Sequence, residues 1–63
     1  MGTIKIAGQE IDAGNGITIE DAMHQNGFHP DSFLYLVDGK PVPMDTLIQD
    51  SMVIKAVKVA SGG

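Results

Sequence analysis

The sequence predicts a small α+β domain: a mixed sheet of four or five strands with one helix packed on one face. Three observations carry that expectation. Polar and apolar residues alternate near the start of the chain, a capped helix start follows at Thr18, and an Asp38-Gly39 turn follows an apolar run. With 63 residues there is room for one core only. A domain of about 60 residues buries only about 60% of the surface its unfolded chain exposes. No cysteine is present, so neither a disulfide nor a thiolate metal site can reinforce that core. The helix and sheet must therefore stabilise each other. The hydrophobic fraction of 43% suits a folded chain and is too high for a disordered one.

Taken in order, Thr3-Ile4-Lys5-Ile6-Ala7 reads as a half-buried strand with Ile4 and Ile6 inward. Gly8-Gln9 turns the chain into a second strand, Glu10 to Ala13, and Gly14-Asn15-Gly16 forms a loop. Met1-Gly2 is given no weight. Thr18-Ile19-Glu20-Asp21 is the best helix start: Thr18 can cap free N–H groups, and Asp21 stands at the reciprocal position of a capping box. Glu20 and Asp21 also suit the positive end of the helix dipole. Ile19, Ala22 and Met23 share a face, with Asn26 at its margin. Gly27 can end the helix in the left-handed conformation. About two turns result, too few to persist without packing.

His29-Pro30-Asp31-Ser32 is a connecting turn, and Phe33 to Val37 is the strongest strand signal. Asp38-Gly39 supplies a hairpin turn. Lys40-Pro41-Val42 returns as a short strand that must lie at an edge, because Pro41 lacks a ladder donor. Met44 to Asp50 reads as a polar connector holding Leu47 and Ile48, with room for a 3₁₀ turn. Met52 to Val59 is the last strand, with Ile54 and Ala56 toward the helix and Val53, Lys55, Val57 and Val59 facing away.

Charge and composition narrow the function classes. The net charge is −4, from eight acidic residues against four lysines and no arginine. Direct nucleic-acid binding needs clustered cations, so it is not expected. No apolar run approaches the roughly 20 residues that span a bilayer, and no signal peptide is recognisable. The expectation is a cytoplasmic monomer that engages neither membrane nor nucleic acid. A catalytic constellation is also not expected: there is no cysteine, no serine on a glycine-flanked elbow, and His24 and His29 lie outside any recognised ligand spacing. Gly14-x-Gly16 precedes the helix but lacks the third glycine of a dinucleotide loop. The chain is read as not an enzyme, with no catalytic residue, no metal site and no bound cofactor.

What remains is the C-terminus. Residues 1–60 form the domain, and Ser61-Gly62-Gly63 is read as a flexible tail. Glycine has no Cβ, so Gly62-Gly63 can thread a narrow channel, and three extended residues reach about 10 Å. The terminal carboxylate is unreactive at neutral pH. Joined to AMP it becomes a mixed anhydride that sulfide, a thiol or an amine can displace. A disordered end or a linker remnant is the competing reading of the same residues.

Thr18-Ile19-Glu20-Asp21, the run Leu36-Val37-Asp38-Gly39-Lys40-Pro41-Val42-Pro43 and the closing Ser61-Gly62-Gly63 together resemble the ubiquitin-like β-grasp proteins. The likeness is to the small archaeal modifier proteins and to the sulfur carriers of the ThiS, MoaD and TtuB family, over nearly the whole chain. The resemblance implies an E1-like enzyme that uses ATP to adenylate Gly63. It further implies either a thiocarboxylate, for tRNA thiolation or cofactor synthesis, or an isopeptide bond to a target-protein lysine. The partners so implied are the adenylating enzyme and a sulfur donor or target lysines. The tail departs from ubiquitin in having no arginine, with Val59 and Ala60 preceding Ser61.

A second surface follows from the residues. If Phe33, Tyr35 and Val37 face the helix, then Leu34 and Leu36 point outward with Val57 and Val59. That apolar cluster is a candidate partner-binding face. The alternative function is therefore a non-covalent binding module that uses this face, with the tail incidental.

Overall fold

Of this chain, the computed structural model describes residues 2–59. Two antiparallel hairpins flank a parallel central pair. Strand β1 (Gly2–Ile6) pairs with β2 (Gln9–Ala13), and β3 (Phe33–Val37) pairs with β4 (Lys40–Val42). The last strand, β5 (Val53–Lys58), enters between the hairpins, parallel to β1 and antiparallel to β3. One mixed five-stranded sheet results, in the order β2-β1-β5-β3-β4, with β4 and its Pro41 at an edge as expected. Helix α1 (Ile19–Gln25) covers one face, burying Ile19, Ala22 and Met23 against Ile4, Ile6, Ile54, Ala56 and Tyr35.

Both hairpin turns carry two consecutive residues of positive φ, the pattern whose twist matches that of paired strands. Asp38 and Gly39 take φ 53° and 78°. In the first hairpin the turn is Ala7-Gly8, at φ 47° and 82°, one residue earlier than the sequence suggests. Ala7 belongs to the turn and not to the strand. Alternation could not show this, because alanine is a poor occupant of that conformation. At the other end of β1, Gly2 is buried and pairs with Ala13. A Cβ there would lie 2.5 Å from Ile48 Cγ2, so the strand starts where only glycine fits.

The helix, although only seven residues long, satisfies its exposed backbone groups at both ends. At its N-terminus the Asp21 N–H donates to Thr18 Oγ1 at 3.1 Å, and the Ala22 N–H donates to the Thr18 carbonyl at 3.0 Å. The Ile19 and Glu20 N–H groups reach the carbonyls of Thr46 and Met44, at 3.1 and 2.9 Å. At the C-terminus the Gly27 N–H donates to His24 O and the Phe28 N–H to Met23 O, with Gly27 at φ 82°. That is the doubly bonded Schellman termination. Asn26 is exposed, and its amide nitrogen donates to the Ala22 carbonyl at 2.8 Å.

Residues 43–52 therefore do more than connect. Ile48 is 1% exposed and is a core residue. Its N–H donates to Ile17 O at 2.8 Å, and its carbonyl accepts from the Gly16 N–H at 3.1 Å. Leu47, its neighbour, is exposed and bridges to Thr18 through the backbone.

Tyr35, the only tyrosine, is buried, and its hydroxyl donates to the carbonyl of Pro30 at 2.8 Å. Burial, with smaller contributions from the Asp31 and Glu20 carboxylates, pushes its ionisation up to about 12. An unfolded chain loses this proton near pH 10. The associated stability is thus complete below about pH 10 and is lost as pH rises toward 12, a change of about 2–3 kcal/mol. Phenolate absorbance is expected to show Tyr35 titrating well above pH 10 or together with alkaline unfolding. Titration near pH 10 with the fold intact would contradict its burial. Replacing Ala7 by asparagine, which tolerates positive φ, is expected to stabilise the domain by about 0.5–1 kcal/mol. A rise of several degrees in Tm would show it.

Candidate functional site

The face of the sheet opposite the helix is assembled by strand register. Paired residues of neighbouring strands project to the same side, so the pairings can be followed across all five strands. Glu10 pairs with Lys5, Lys5 with Lys55, Lys55 with Leu36 and Leu36 with Pro41. A second row runs Asp12, Thr3 and Val53. On the far side of Lys55, Leu34 pairs with Val57. The residues between these positions, Ile4, Tyr35, Ile54 and Ala56, are buried on the helix side. Tyr35 fixes the alternation of β3, so Leu34 and Leu36 face outward.

Leu34 is 45% exposed, Val57 39% and Val59 40%. These three cluster at the end of the sheet where β5 terminates. Leu36 is half-buried between its pairing partners Lys55 and Pro41. Val53, the most exposed valine at 49%, also lies on this face but is two residues from Lys55 and four from Val57. The surface is therefore two apolar patches with a lysine pair between them. Lys5 and Lys55 are exposed direct neighbours, and like charges side by side on a sheet repel. Sequence patterning identifies Leu34, Leu36, Val57 and Val59, but it cannot find the Lys5–Lys55 contact, which depends on parallel pairing of the two most distant strands.

The remaining polar groups have structural surroundings. His24 and His29 are exposed. Among the described residues, no group of three or more His, Cys, Asp or Glu side chains could hold a metal ion. The Gly14-x-Gly16 segment is tied to the core loop through the Gly16 N–H bond to Ile48 O. Ser61, Gly62 and Gly63 lie outside the described residues. The last described residue, Val59, donates its N–H to Ser32 O at 3.0 Å, so the chain is held to the start of β3 immediately before Ala60.

Opposite effects are expected from substitutions on the two faces. Leu34→Asp, on the open face, should change stability by about 1 kcal/mol or less. Ile54→Ala, on the helix face, should cost about 2–5 kcal/mol, a large share of the domain's roughly 3–9 kcal/mol. Urea denaturation of the two variants measures both, and comparable losses would overturn the assignment of faces. No protein-family model matches the chain, and no curated protein matches it.

Proposed function

We propose that this chain is a ubiquitin-like β-grasp carrier or modifier whose Gly63 carboxylate is adenylated by an E1-like enzyme. The element order supports the β-grasp assignment: a hairpin, a helix across one face, a second hairpin, and a last strand returning beside the first. The observation that carries the functional reading is the course of β5. It is the middle strand of the sheet, paired with β1 as far as Ala56 and with β3 as far as Lys58, and in sequence it is followed by Val59-Ala60-Ser61-Gly62-Gly63. The Val59 N–H bond to Ser32 O anchors the chain to the sheet at the last described residue. Four extended residues span at most about 13–14 Å beyond that anchor.

In the proposed reaction a Gly63 carboxylate oxygen attacks the α-phosphorus of ATP and pyrophosphate leaves. The resulting acyl adenylate is attacked at its carbonyl carbon, and AMP departs. Hydrosulfide as the nucleophile leaves a thiocarboxylate, and a lysine amine leaves an isopeptide bond. Catalysis belongs to the activating enzyme. This chain contributes reach through Gly62-Gly63 and a docking surface, with Leu34, Val57 and Val59 as its apolar contacts and Leu36 behind them. A cytoplasmic setting, where ATP is at hand, goes with this reading.

A second reading has one observation in its favour: exposed Leu34 and Val57 form a paired apolar patch, which a non-covalent binding module would need. Removal of Gly62-Gly63 separates the two. With the host's E1-like enzyme, ATP and a sulfide source, intact mass is expected to reveal an adenylate or exchange of one oxygen for sulfur. The truncated chain should show neither while keeping its fold. A full-length chain that stays unmodified beside a demonstrably active enzyme, and forms no conjugates in cells, would overturn the carrier reading.

A further inference from the structure

The sheet has an open stretch of edge within its interior. Pairing of β1 with β5 ends at Ile6 and Ala56, where the chain leaves through Ala7-Gly8. β5 continues to Lys58, which pairs with Phe33 on the other side. Among the described residues, Lys58 thus has a strand along one edge and none along the other, and its N–H and C=O face the open side while those of Val57 face β3. Such a half-open strand can accept a further extended segment through main-chain hydrogen bonds.

A groove of about 550 Å³ lies against this stretch. Ile6, Phe28, Phe33 and Val57 give it apolar walls, and at Ala7 and Gly8 no large side chain blocks entry. The Phe28 and Phe33 rings meet edge to face, with centroids 6.0 Å apart. A smaller hollow of about 170 Å³ adjoins them, passing His29 and Ser32 and sharing Lys58. The charged side chains lining the groove itself are lysines, while Glu10 lines a neighbouring hollow. The chain carries eight acidic residues and four lysines, yet among the described residues the groove is lined by Lys55 and Lys58 and by no carboxylate.

We propose that this groove docks an extended acidic segment of a partner protein. The segment adds beside Val57 and Lys58 as a short strand. One apolar side chain rests against Phe28 and Phe33, a flanking carboxylate lies near Lys58 on the same side, and Lys55 stands at the rim toward the open face. Backbone pairing supplies part of the affinity, the apolar walls select the central side chain, and the two lysines select acidic over basic flanks. The groove shares Val57 with the proposed docking surface, but its binding of a peptide does not depend on whether the Gly63 carboxylate is activated.

The test is an NMR titration of the ¹⁵N-labelled chain at low salt with the capped peptide acetyl-Glu-Leu-Phe-Leu-Glu-amide. The same peptide with lysine in place of glutamate is the comparison. The acidic peptide is expected to shift the amides of Ala7, Gly8, Phe28, Val57 and Lys58, and to bind at least about tenfold more tightly than the basic one. Its affinity should fall as salt is added. Lys55→Glu with Lys58→Glu should reverse the preference. Should that variant not fold, the salt series and the peptide pair on the native chain decide. No shifts at millimolar peptide, shifts centred on Leu34 and Val53, or equal affinity for both peptides would each overturn the proposal.

Discussion

The parallel pairing of β1 with β5 is the constraint on which the rest of this structure depends. It joins the first strand to the last, beginning with the Thr3 N–H bond to Met52 O at 2.8 Å. It also aligns Ile4 with Ile54 and Ile6 with Ala56 on the buried side. Without it the molecule would be two hairpins, each too small to bury a face, and a two-turn helix with no floor beneath it. A chain this short has roughly 3–9 kcal/mol of stability to lose. The core that supplies it lies largely over this central pair.

The same pairing shapes both surfaces of interest. On the open face it sets Lys5 beside Lys55, widening the polar break that Lys55 makes between Val53 and Val57. At the end of the sheet, β1 stops at Ile6 while β5 continues to Lys58, which opens the groove beside Val57 and Lys58. A divided apolar face and an open strand edge therefore converge on one strand. In the proposed carrier role, β5 would both present the activated terminus and contribute residues to the surface that an enzyme grips.

The segment between β4 and β5 shows how a small domain secures a short helix. Helices of two turns leave most of their backbone donors unpaired by their own carbonyls. Here Thr18 takes one of the early N–H groups through its side chain, and the carbonyls of Met44 and Thr46 take two more. Ile48 then fills the space beside Gly2. Composition made this segment look like a polar connector, because its neighbours Asp45, Gln49 and Asp50 are polar. Its role follows from backbone groups, which every residue carries alike and which no composition reveals.

Local chemistry was enough to read the elements whose causes are local. The Asp38-Gly39 turn, the Thr18 cap, the Gly27 termination and the inward facing of Ile4, Ile6, Ile54 and Ala56 each follow from one residue type or a short alternation, and the α+β class follows from their order. The candidate residues Leu34, Leu36, Val57 and Val59 were legible for the same reason. Only the tertiary structure decided the first turn at Ala7-Gly8, the burial of Gly2 and Ile48, the Lys5–Lys55 contact and the groove at Phe28 and Phe33. The turn was hidden because alanine rarely takes positive φ, and the Gly2–Ile48 and Lys5–Lys55 neighbours arise where segments more than forty residues apart meet, a register that leaves no periodic mark in either segment. Ser61-Gly62-Gly63 stands at the opposite extreme: two of its three residues have no side chain to pack, so the motif is legible only in the sequence, and the role proposed for it rests there.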